Sequence, residues 1–230
     1  MMSTSSEKAY QTIRAGILAG DFTSGKLVPE DELAQYCGVS RTPVREAIAR
    51  LVSEMLLQRN GTNRVFVPNW SESDVEEIFD LRTMLERHCA QRAAQFITAE
   101  QLSELKQHCA FIEEKIENPS GVDVPGFVEG NRRFHAVMTE AAQSEPLKQM
   151  LNLVVSQVIV HQTAEHYVLN DVRQSQRDHN DFVAAFEARD ADWAGAIASA
   201  HIRRAANSYR RSLSKPQAQS EENMLSEARG

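Results

Sequence analysis

The stretch "GVSRTPVREAIARL", residues 38–51, places a proline between two arginines at the start of a helical pattern. Proline is costly inside a helix, because it lacks an N–H and its ring clashes with the preceding turn. The first helical N–H groups have no intrahelical partner, so Pro43 loses nothing there. Ser40 is a good N-cap. A helix therefore starts at Ser40, with Arg41 and Arg45 in its first turns. Val44, Ala47, Ile48 and Leu51 follow the i, i+3, i+4, i+7 spacing of a buried stripe. Thr42, Arg45 and Ala49 lie on the other side, with Arg41 and Glu46 at its edge.

Working outward, Pro29 and the acidic run Glu30, Asp31 and Glu32 open a shorter helix with Leu33 and Ala34 inward, which Gly38 ends. Helix, short glycine-containing turn, then a helix with polar and basic residues at its N-terminus is the layout of a helix-turn-helix. In that motif the first turns of the second helix reach base edges. Arginine can bond guanine bidentately and a threonine methyl can touch a thymine methyl, which points to Arg41, Thr42 and Arg45. An ordinary solvated helix end has the same local pattern. Upstream, Ala9, Ile13, Ile17 and Leu18 make one more helical stripe, ending at Gly20. Downstream, Asn60-Gly61 between Leu57 and Val65-Phe66-Val67 signals a hairpin. Three helices and a hairpin form a winged helix-turn-helix over residues 1–68.

The run "GKLVPEDELAQYCGVSRTPVREAIARL" resembles the N-terminal domain of GntR-type bacterial transcription regulators, from about Glu7 to Pro68. The resemblance implies DNA contacts at Arg41, Thr42 and Arg45, beginning at the cap Ser40, and wing residues near Asn63 in the minor groove. Two positions depart from the family pattern, which usually has glycine at Met55 and at Arg64. Met55 strains the helix end if that turn needs a left-handed residue. Arg64 adds a candidate phosphate or minor-groove contact.

The chain of 230 residues is long enough for two domains. No apolar run approaches the ~18 residues of a membrane span. The start "MMSTSSEK" is not a secretory signal. Cys37, Cys89 and Cys109 form no C-x-x-C pair and read as reduced, core-packed thiols of a cytoplasmic protein. The net charge of −7 argues against a DNA partner until the chain is divided. Residues 1–68 hold eight Lys and Arg against seven Asp and Glu, a balance of about +1. The acidity lies in the remainder. A first domain this weakly cationic suits specific binding as a dimer rather than avid coating of DNA.

Beyond the linker at 69–75, with Ser71 or Ser73 as cap, the pattern is helical throughout. Helices are expected near 72–96, 99–117, 124–142, 146–167, 172–189 and 190–213, and a disordered tail over 214–230. Thr98 and Gln101 make a capping box. The stripes Ile78, Leu81, Met84, Leu85 and Leu147, Met150, Leu151, Val154 read as core or dimer surface. Asn131 and His135 are four residues apart and project to nearly one side. His179 and His201 fall on the last two helices. Bundle interiors build metal sites from such side chains, and imidazole suits Zn²⁺ or Ni²⁺. Ordinary surface or core histidines are the alternative.

Residues 72–213 resemble the all-helical FCD ligand-binding domain of FadR-type members of the same family. With the first domain, the resemblance covers over 200 residues. It implies a metal set of Asn131, His135, His179 and His201. His88, His108, His161 and His166 do not match its pattern. With Asn rather than Asp at 131 the set is neutral, so a divalent ion keeps its charge, and a small carboxylate effector is expected to complete the shell. Arg82 aligns with an arginine near the effector; alternatively it makes a surface salt bridge with Glu86 at i+4. The implied function is a ligand-responsive regulator, most relatives being repressors. It is expected to bind a near-palindromic operator as a homodimer. Two other readings stand beside it. A metal sensor would take the ion itself as the signal. A metal-dependent hydrolase would need a general base, yet no H-E-x-x-H motif is present, and Glu129 is too close to Asn131 along the helix to face the same way.

Overall fold

The computed structural model describes residues 4–119, 121–154 and 169–213. The distal part of the helix expected at 146–167, with His161 and His166, lies outside the described residues, as does the 214–230 tail. The first helix, α1 (Thr4–Ala19), precedes α2 (Glu30–Cys37) and α3 (Arg41–Ser53). A two-stranded antiparallel hairpin of β1 (Gln58–Arg59) and β2 (Val65–Phe66) follows, with Gln58 opposite Phe66 and Arg59 opposite Val65. Ala9, Ile13 and Ile17 of α1 pack with Val44, Ala47, Ile48 and Leu51 of α3. Leu33, Val65 and Val67 complete this core. The expected three helices and hairpin are all present.

Local rules explain the joints. Gly38 is left-handed, φ 63°, and a Schellman closure follows: Gly38 N–H donates to the Gln35 carbonyl and Val39 N–H to that of Ala34. The end of α3 repeats the device without a glycine. Leu56 N–H donates to Leu51 O and Met55 N–H to Val52 O, with Met55 at φ 55°. Met55 thus occupies a position that favours glycine and carries the strain expected there. The wing differs from a tight Asn-Gly turn. Its left-handed residue is Asn63, φ 61°, not Gly61. The Asn60 side-chain oxygen organises the loop, accepting from Thr62 N–H and Oγ1–H and from Arg64 N–H. Asparagine tolerates the left-handed region, so Arg64 is spared it.

The second part comprises α4 (Glu72–Phe96), α5 (Ala99–Ile116), α6 (Val124–Ala141), α7 (Glu145–Val154), α8 (Leu169–Glu187) and α9 (Ala191–Leu213). The described ends agree with expectation to within three residues. Ser71 with Asp74, and Thr98 with Gln101, form reciprocal capping boxes at α4 and α5. A second core joins Cys89, Ala90, Ala93 and Ala94 of α4 to Phe134, Met138, Phe182, Phe186 and Ile197. Gly130 lets α6 approach α5, since a Cβ there would stand 2.6 Å from Ile112 Cγ1. The inward face of α4 departs from its hydrophobic periodicity. Leu81 and Met84 are exposed, whereas Arg82 and Glu86 are buried. That places two charges inside the bundle.

Candidate functional site

Two surfaces carry chemistry. On the first, the N-terminal turn of α3 exposes Arg41, Thr42 and Arg45 together, directly after the exposed Ser40. Ser40 occupies the N-cap position but its side chain makes no capping hydrogen bond. Both arginines are engaged by the acidic first turn of α2. Glu30 Oε2 accepts from Arg45 Nε at 2.7 Å, and Asp31 pairs with Arg41 Nε. Asn63 and Arg64 stand exposed at the wing tip, where Arg59 donates to the backbone and side-chain oxygens of Asn63.

The second surface is interior. His135 on α6, His179 on α8 and His201 on α9 converge, with ring centroids 5.3–5.6 Å apart and one nitrogen of each within 4.8 Å of the others. Asn131 lies one turn before His135, half-buried. His179 is fully buried against Phe134, and neither of its ring nitrogens has a hydrogen-bond partner. An orphaned buried polar group costs about 1–3 kcal/mol, so two on one ring call for an explanation. A cation held between the three rings accounts for one of the two, since a lone pair on each imidazole is the donor that Zn²⁺ or a similar ion requires. The donor set fits such an ion.

His135 and His201 share a support that sequence reading did not supply. His201 Nδ1 lies 3.0 Å from Asp178 Oδ2, and His135 Nδ1 lies 3.3 Å from Glu86 Oε2. Each carboxylate is gripped by an arginine. Arg82 Nε and Nη2 donate to Glu86 Oε1 at 3.1 and 2.9 Å. Arg204 Nε donates to Asp178 Oδ2 at 3.1 Å, and its Nη2 to Oδ1. Burial alone would raise the Glu86 pKa, but Arg82 and the hydrogen bond with His135 overcome it and hold the acid at about 2. For Asp178, burial likewise opposes ionisation, and bonds from His201 and Arg204 prevail and lower its pKa. Burial and the neighbouring histidines depress His179 well below the usual imidazole range, and burial also lowers His201 against the pull of Asp178. His179 and His201 are thus held in the neutral form that ligates metals.

Arg82 therefore forms the ion pair with Glu86, but as a buried pair rather than a surface one, and it sits one carboxylate away from the histidines. Glu129 is spent on Arg132 and Arg133, at 2.8 and 2.7 Å. The signal for Glu86 was its spacing: residues 82, 86, 90 and 93 share a face whose other members are alanines. Asp178 had no comparable signal beyond its place beside His179.

A winged helix-turn-helix followed by an all-helical bundle defines a two-part DNA-binding regulator. Residues 5–67 match the family of bacterial regulatory proteins, gntR family, and residues 77–204 match the FCD domain. The chain belongs to the GntR family, with an FCD domain as its second part, and is a DNA-binding transcription regulator. It is similar to the HTH-type transcriptional regulator YdhC of Bacillus subtilis (strain 168), 27% identical over 172 residues, covering 73% of this chain and 76% of the relative. It is also similar to the HTH-type transcriptional repressor RspR of Escherichia coli (strain K12), 26% identical over 211 residues, covering 89% and 88%. Among solved structures, E. coli McbR/YncC shares the fold, with a TM-score of 0.73 at 22% identity over 91% of this chain and 99% of that one. These families and relatives are regulators, not enzymes, so the hydrolase reading is dropped. No described helix is long and apolar enough to cross a membrane.

Proposed function

We propose that this chain is a cytoplasmic, metabolite-controlled repressor whose FCD domain holds a divalent ion and binds a small carboxylate on it. Two copies act as a homodimer on a near-palindromic operator, with the α3 helices in successive major grooves. Arg41, Thr42 and Arg45 read bases from the first turns of α3, Ser40 meets the backbone at the cap, and Asn63 and Arg64 enter from the wing. Joint exposure on one turn supports this assignment. Leu81 and Met84 of α4, and Met150 and Leu153 of α7, are exposed apolar side chains available for pairing.

The observation that carries the metal reading is His179, buried with both nitrogens unpartnered between His135 and His201. These three residues with Asn131 would hold Zn²⁺ or Ni²⁺. When bound, the ion supplies a positive centre that can retain an anion. The residues of the chain leave that charge uncancelled. The ligand set is neutral, Glu86 is balanced by Arg82, and Asp178 by Arg204. A buried divalent charge without compensation is unfavourable, so an anionic effector completes the site. Arg82 gives one N–H each from Nε and Nη2 to Glu86, which leaves Nη1 as its candidate donor to that anion. Effector binding then shifts how the bundle presents the DNA-binding domains, by a coupling of about 1–3 kcal/mol, the usual range for allosteric regulators.

Thermal shift with a panel of small carboxylates on the metal-loaded protein tests the reading. Stabilisation by particular acids, absent from His135→Ala, is expected. Equal responses in wild type and His135→Ala would remove the ion from effector binding.

A further inference from the structure

We infer that Glu30 and Asp31 of α2 are positioning residues for DNA readout: by occupying the Nε edges of Arg45 and Arg41 they direct the terminal nitrogens to bases and suppress non-specific binding to phosphate. This rests on the proposed assignment of Arg41 and Arg45 as DNA contacts.

Acidic residues in the first turn of a helix need no function beyond favouring the helix dipole. Here two of the three reach across the turn to the following helix, and each takes the same atom of its partner. Glu30 lies 2.7 Å from Arg45 Nε, and Asp31 pairs with Arg41 Nε. A guanidinium has five N–H groups in a fixed planar fork. With Nε spent, Nη1 and Nη2 remain as the end-on pair that matches guanine O6 and N7. The side-on pair, Nε with Nη2, which would grip a phosphate equally well, is withdrawn. Ordering two long side chains before DNA arrives also lowers the entropy lost on binding.

Charge points the same way. The first domain is only about +1, and these two carboxylates stand beside the two exposed arginines at the start of α3. Non-specific affinity comes almost wholly from phosphate neutralisation. A carboxylate held against each reading arginine therefore weakens non-specific binding more than specific binding, which recovers the energy through base contacts. The ion pairs themselves are solvent-exposed, so they add little to folding stability. The acids can thus be removed without unfolding the domain.

The test compares wild type with the Glu30→Gln, Asp31→Asn double variant on two duplexes. One is selected from a randomised library by the wild-type protein; the other is its scrambled counterpart. The double variant should stay folded, melting no more than a few degrees below wild type for the lost helix-dipole contribution of two acids, and bind the scrambled duplex more tightly. Its salt slope there should steepen by about 0.9 for each arginine released to a phosphate. Its ratio of selected to scrambled affinity should fall by about tenfold, the scale of one bidentate base contact. Glu30→Asp, which keeps the charge but is too short for the 2.7 Å contact, should keep the wild-type slope and lose part of the ratio. Unchanged ratio and slope in the double variant would overturn the inference. Arg45→Ala measured alongside separates the two readings. If it loses selected-duplex binding while the acid variants change nothing, only the positioning role fails. If it binds normally, the DNA-contact assignment fails and takes this inference with it.

Discussion

The same chemical pair, arginine on carboxylate, does opposite work at the two ends of this molecule. On the face of α3 proposed to meet DNA the Arg45 side chain is 61% exposed over its Glu30 partner, whereas in the bundle Arg82 is 9% and Glu86 5% exposed. Exposed pairs are weak, screened and exchangeable. They suit a surface whose arginines keep their terminal nitrogens open to another partner. Buried pairs persist only when complete, since removing one member strands a charge in a poor solvent. They suit a fixed support, and Glu86 and Asp178 each stand behind one histidine of the cluster. Burial, rather than residue type, separates the adaptable contact from the permanent one.

That contrast is broken or sharpened first at Arg82. Arg82→Ala should cost about 3–5 kcal/mol of stability, the usual consequence of an orphaned buried charge, read by denaturant melts. A loss below 1 kcal/mol would mean that Glu86 is solvated. The apolar double replacement Arg82→Met, Glu86→Leu should recover most of that loss. It should still weaken metal retention by about 10–100-fold, because the Glu86 carboxylate against His135 Nδ1 orients that ring. At the other end, Arg45→Ala should leave the melt unchanged and lower affinity for the selected duplex by about tenfold or more. A destabilised Arg45→Ala would make the exposed pair structural and erase the distinction. The smallest effect belongs to Met55, held at φ 55° at the end of α3. Met55→Gly should stabilise the first domain by about 1 kcal/mol or less, through relief of left-handed strain offset by the entropy of glycine.

Legibility in the sequence followed the same divide. The helix-turn-helix could be read because its determinants are local: the Pro43 position, the Gly38 closure and the stripe from Val44 to Leu51. The bundle helices were legible from caps and breaks. The three histidines lie on separate helices, so their convergence rested on a family resemblance until the fold placed them 5.3–5.6 Å apart. Asp178 escaped and Glu86 was read only as a surface partner of Arg82, because charged residues default to the surface in any hydrophobicity pattern. On α4 the apolar stripe through Leu81 and Met84 pointed outward while the charged pair faced in. In the wing, Asn60-Gly61 marked the hairpin but not its geometry. The loop is closed by the Asn60 side chain, and the left-handed residue falls at Asn63.

The most direct test is the metal content of the purified protein by plasma mass spectrometry, in wild type and in His179→Leu, with melts of both after chelation. Wild type should carry close to one divalent ion per chain and His179→Leu none. After chelation the variant should be the more stable by about 1–3 kcal/mol, because leucine removes two orphaned nitrogens from the core. Equal metal in both proteins, or a chelated wild type more stable than the variant, would contradict the placement of an ion among His135, His179 and His201.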